Sequence, residues 1–173
     1  MFRLAPPALR VFLVGLVVVG IQFGVLSNVV IAGHTPQIVL ALAAAAGAGG
    51  GSERGAIAGF ALGLMVDLRG TEALGMTALA YALAGLTAGY VMSITPDPQW
   101  WLAAIFTTLG TAVGETAIPV LKLITGQDGW LTTRVLTVLL VVVPFGALLS
   151  PLLVPVGRWI TGAKRPKWKV ILE

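Results

Sequence analysis

The sequence predicts an all-α integral membrane protein of six transmembrane helices, and three observations carry that expectation. Hydrophobic residues make up 57% of the 173-residue chain and charged residues 10%, against about 25% charged in a soluble domain. Mean hydropathy is +0.96. Several apolar runs approach the ~20 residues that a helix needs to cross a bilayer. Turn residues separate these runs so as to leave room for about six short spans and none for a soluble catalytic domain. The whole chain, 1–173, reads as one membrane domain with approximate spans 8–26, 36–51, 52–68, 71–92, 99–124 and 131–156, and a basic tail over 158–173.

Each element has its own local cause. A basic start (Arg3, Arg10, with Pro6-Pro7) precedes an apolar run broken only by Gln22. Positive then apolar also describes a signal peptide, but the run is long for one and more spans follow, so an uncleaved first helix is preferred. Pro36 suits the start of the second helix. Its apolar part, Ile38 to Gly51, spans 14 residues, which reach only ~21 Å. It must be shielded by neighbours, extend into its flanks, or sit where the bilayer is thin. Gly49-Gly50-Gly51 ends it, and Ser52 with Glu53 is an N-cap signal for the third helix. Arg69-Gly70 breaks that helix, and Thr71 with Glu72 repeats the cap signal for the fourth.

After the turn SITPDPQ, the Trp100-Trp101 pair marks a membrane interface. The fifth helix is the least apolar: Thr108, Thr111, Glu115 and Lys122 fall on one face, Gly110 and Gly114 beside them, and Pro119 predicts a kink. The turn TGQDG leads to the sixth helix. Its Pro144 and Pro151 are tolerable in lipid where neighbours satisfy the freed carbonyls.

Net charge is +4, with basic residues clustered at the ends; this is an orientation signal rather than a nucleic-acid footprint. With six spans, eight Lys or Arg (Arg3, Arg10, Arg54, Arg158, Lys164, Arg165, Lys167, Lys169) fall on the side of the termini and three (Arg69, Lys122, Arg134) on the other. The bias places both termini in the cytoplasm. The tail GAKRPKWK would also be drawn to anionic lipid, at about 1 kcal/mol per basic residue, or serve as a dock for a cytoplasmic protein.

Chemistry-bearing groups are sparse. The chain has no cysteine, which excludes disulfides and thiolate sites. His34 is a lone loop histidine, whereas zinc needs several ligands. GAGGGSERG lacks the GK[ST] and the preceding strand of a phosphate loop. No catalytic, cofactor or metal residue is assigned. Two carboxylates remain. Asp67 near a span marks either a functional site or a helix end that caps or pairs. It sits at a C-terminus, where the dipole disfavours it, so a partner such as Arg69, Arg134 or a subunit group is expected. Glu115, mid-span and two turns before Lys122, is expected to make an interhelical hydrogen bond to a threonine or glutamine.

The stretch Arg54 to Gly89 is expected to be the packed centre. Gly55, Gly59, Gly63 and Asp67 recur every four residues on one helical face. Gly75, Ala78, Ala82, Gly85 and Gly89 line a face of the next helix. Small faces of this kind are how helices pack in lipid.

The same stretch resembles the MreD family, the rod shape-determining membrane proteins of bacteria. The pattern G-x-x-x-G-F-x-x-G-L-x-x-D, a turn, then L-G-x-x-A-L-A-Y-x-L-x-G-x-x-A-G is carried by Gly55, Gly59, Phe60, Gly63, Leu64, Asp67, Leu74, Gly75, Ala78, Leu79, Tyr81, Gly85 and Gly89. It covers roughly the middle fifth of the chain. The resemblance implies a fold similar to the substrate-binding subunits of energy-coupling-factor transporters. It further implies a non-enzymatic subunit of the cell-elongation complex, partnering MreC and, through it, RodA, a class B penicillin-binding protein and the MreB cytoskeleton. Asp67 would then be a structural contact. The alternative, from the shared six-helix layout, is a solute-binding subunit of such a transporter, for which His34, Asn28, Glu72, Gln127 and Asp128 are the loop groups on offer. A flippase or small ion carrier is a third reading.

Overall fold

The structure, a computed structural model, describes residues 6–29, 35–69, 74–95, 100–124, 126 and 134–163. Six α-helices follow in order: α1 (Pro7–Gly24), α2 (Ile38–Gly50), α3 (Ser52–Asp67), α4 (Met76–Ser93), α5 (Trp100–Ile124) and α6 (Arg134–Ile160), with one 3-10 turn at Leu26–Asn28 after α1. No strand occurs among the described residues. Four stretches, Pro7–Asn28, Met76–Ser93, Trp101–Ile124 and Val143–Ile160, are long and apolar enough to cross a membrane. α2 is apolar but has 13 residues, and α3 has 16.

Residue size runs opposite to that of a water-soluble core. Alanine and glycine dominate the interior, while Leu16, Ile57, Phe60, Leu79, Leu83, Leu148 and Leu152 face outward. In lipid, large apolar side chains lose nothing by facing the solvent, and small ones let backbones approach.

α2 is the axis of the bundle. Every residue from Val39 to Ala48 is buried, and α3, α4, α5 and α6 all pack on it, with α1 touching it lightly. A helix too short to span alone is thus shielded by its neighbours. The expected centre, α3 with α4, is instead the most extensive single pair in the bundle, laid against the α2 axis. α1 is peripheral: only Val11, Gly15 and Val19, one stripe of it, are buried.

Local details depart from expectation at the starts of α3 and α4. Ser52 is the first residue of α3, not its cap; Gly51 precedes it at φ 94°, and no side chain caps the helix. The described part of the fourth helix begins at Met76, after the expected Thr71. Gly75 is not on the α4 face but is its N-cap, at φ 96° in the left-handed region that glycine adopts without strain. At the other end of the chain α6 runs on to Ile160, past a third internal proline, Pro155. Pro151 cannot bond the Ala147 carbonyl, and the Ser150 hydroxyl donates to that oxygen instead at 2.8 Å. His34, Thr71, Glu72, Gln127, Asp128 and the tail beyond Ala163 lie outside the described residues.

Candidate functional site

The glycine faces meet each other. A Cβ at Gly59 would fall on the Tyr81 carbonyl, one at Gly63 would lie 2.7 Å from the Thr77 oxygen, and one at Gly55 would lie 2.7 Å from the Gly85 oxygen. From the other side, a Cβ at Gly85 would fall on the Gly55 carbonyl, and one at Gly89 would sit 2.5 Å from Ser52 N. Gly47 of α2 closes against Gly85 as well, so α2, α3 and α4 touch backbone to backbone at one point. The seam is internal and the glycines are not available to a second chain.

Asp67 ends α3 and begins α4. The N–H groups of Gly75 and Ala78 donate to Oδ2 at 2.9 and 3.1 Å, and that of Thr77 donates to Oδ1 at 3.3 Å. These are orphan donors of a helix N-terminus, and their partial positive charge is what a carboxylate complements. The expected arginine partner is therefore not needed. The Arg69 guanidinium instead lies 5.0 Å from the Phe23 ring centroid. Sequence reading missed that a carboxylate unfavourable at its own helix end becomes favourable at the next one across a short turn.

The same end of the bundle holds a second group of internal polar side chains. Gln22 of α1 accepts from Val39 N–H at 2.9 Å and so caps α2. The Tyr81 hydroxyl, fully buried, donates to Gln37 Oε1 at 3.0 Å, and Gln22 lies beside the same hydroxyl. Gln22, Gln37 and Tyr81 were not singled out as site residues, although a glutamine inside an apolar run is a signal in itself.

Glu115 behaves differently. It is 6% exposed, and its Oε1 has no hydrogen-bond partner, so the expected threonine or glutamine does not reach that oxygen. Thr111 and Thr107, at one and two turns before it, are both 0% exposed. The polar face of α5 is thus Thr107, Thr111, Glu115 and Lys122, whereas Thr108, expected there, is half-buried and donates to the Ala104 carbonyl. Gly110 and Gly114 sit against Ala84 and Leu40, which lets α5 close on α4 and α2. Among the described residues no group of three or more His, Cys, Asp or Glu is placed to hold a metal ion.

The class these features define is an all-helical bundle with four membrane-competent helices, packed on small residues around a buried central helix. Its closer relations are not given by comparison: no family model, no curated protein and no solved structure matches the chain.

Proposed function

We propose that this chain is a multi-pass subunit of the bacterial cytoplasmic membrane, spanning it six times with both termini in the cytoplasm. In this reading it acts through helix contacts within the cell-elongation complex. Its direct partner would be an MreC-like protein, with RodA, a class B penicillin-binding protein and MreB reached through the assembly, and its role non-enzymatic control of side-wall peptidoglycan synthesis. One observation supports the reading most: the residues that resemble MreD, apart from the N-cap Gly75, divide by direction. Gly55, Gly59, Gly63, Asp67, Ala78, Tyr81, Gly85 and Gly89 are buried in the α3–α4 seam, whereas Phe60, Leu64, Leu74 and Leu79 are exposed. The small half of the motif builds the fold. The large half is free to meet a partner's span, and a single apolar helix is the chemistry it fits.

Depletion of the protein in a rod-shaped host, with side-wall labelling, tests the proposal. Rounded, widened cells with disturbed side-wall synthesis are expected, and capture of an MreC-like protein from solubilised membranes should fall in Phe60→Ala with Leu79→Ala while accumulation holds. Normal shape with a defect in vitamin uptake would point to the solute-binding alternative. That alternative is favoured by the interior cluster of Gln22, Gln37 and Tyr81 at the end of the bundle which this topology turns outward.

A further inference from the structure

Along one face of α5 the hydroxyl protons are already committed. Thr107 Oγ donates to the Ala103 carbonyl at 2.7 Å and Thr111 Oγ to the Thr107 carbonyl at 2.8 Å. On α6, Gly146 packs against Thr111, a Cβ there lying 3.2 Å from its Oγ, and one turn further Ser150, 1% exposed, spends its proton on Ala147. What these groups still present to one another is lone pairs. Glu115 adds a buried carboxylate whose Oε1 nothing donates to. Among the described residues this buried face offers only acceptors, and a carboxylate oxygen left without a donor in a dry interior is strongly disfavoured. What completes it carries positive charge.

We propose that the α5–α6 interface binds one small monovalent cation, Na+ or a proton, between Glu115 and Thr111. A larger amine has no room where Gly146 lies against Thr111, and a divalent ion wants more carboxylates than the single one here. Among the described residues, the charged and titratable groups around the site do not fill this role. Lys122, on the same helix, is about 10 Å further along and has its own interaction. Tyr81 of α4 lies within electrostatic range of Glu115 but donates to Gln37. Asp67 of α3 is held by the α4 backbone. α2 offers only apolar residues here, and α6 carries no charge from Val143 to Gly157. The site is independent of the elongation-complex reading and needs no partner.

The test uses the full chain in nanodiscs, with thermal unfolding followed by tryptophan fluorescence and 22Na+ binding measured directly. NaCl is exchanged for choline chloride at constant ionic strength, at several pH values. Na+ binding is expected to raise the unfolding temperature saturably, to vanish in Glu115→Gln, whose amide supplies its own donor, and to weaken roughly tenfold in Thr111→Val. If the occupant is a proton, Na+ has no effect, the unfolding temperature rises as pH falls, and Glu115→Gln removes that pH response. A wild-type protein indifferent to both, or a Glu115→Gln variant that responds to either as the wild type does, overturns the proposal. Should Glu115→Gln fail to accumulate, the wild-type and Thr111→Val responses decide: equal Na+ and pH responses in those two also overturn it.

Discussion

Replacing Asp67 removes the acceptor of three backbone N–H groups at once, two of them within hydrogen-bond distance of one oxygen. Water cannot readily compensate, because Asp67 is 2% exposed. Asp67→Ala is expected to cost about 2–3 kcal/mol, the loss of an N-cap whose bonds are charge-assisted and buried. Asp67→Asn, which keeps one acceptor oxygen, should cost about half of that. Thermal unfolding of the purified variants measures both. Because Arg69 stacks on Phe23 rather than pairing with Asp67, Arg69→Gln should leave the unfolding temperature close to that of the parent; a loss as large as that of Asp67→Ala would mean that the two residues act as a pair.

At the scale of elements the α2–α3–α4 contact is the sensitive one. Gly59 and Gly63 meet α4 backbone, which cannot move aside as a side-chain tip can. Even Gly59→Ala is expected to force the helices apart, and Gly59→Leu and Gly63→Leu more so, at about 1–3 kcal/mol or above. Gly20 has nothing within 4 Å of a would-be Cβ, and Leu64 faces outward, so Gly20→Leu and Leu64→Ile should accumulate as the parent does. Gly15 is intermediate, since the atoms it meets belong to the flexible Met65 and to Leu62. Quantifying membrane accumulation for this set separates a packed seam from general intolerance of bulk: similar losses at Gly20 and Gly59 would contradict the seam. Within α6, Ser150→Ala should destabilise by about 1 kcal/mol, because the Ala147 carbonyl that Pro151 frees then loses its donor.

For the molecule as a whole, the eight-to-three basic bias predicts that a reporter fused after Glu173 functions only if it is one that works in the cytoplasm. Activity of a periplasm-only reporter at that position would rule out the six-span arrangement. The Arg10 guanidinium, 5.4 Å from the Trp159 ring centroid and donating to the Trp159 carbonyl at 3.2 Å, ties the start of α1 to the end of α6. The start of α1 and the end of α6 therefore lie at one end of the bundle.

The one-dimensional pattern was enough to place six helices to within a few residues, because each is a mainly apolar run bounded by glycine, proline or charge. It was also enough to show that Gly55, Gly59 and Gly63 share a face, since a period of four on a helix admits no other arrangement. It could not say what that face meets. α2, α4 and a partner's helix would all leave the same glycine spacing, and only the fold shows that α4 lies there, with α2 as the buried axis. The same limit applied to the carboxylates. Hydropathy marks Asp67 and Glu115 alike as costly residues in apolar helices. Tertiary structure separated them, because the first is folded back onto the N–H groups that follow its own turn, while the second is set against a face whose donors are already spent. Burial and hydrogen-bond partners depend on contacts between residues far apart in the chain, and local composition does not encode those contacts one residue at a time.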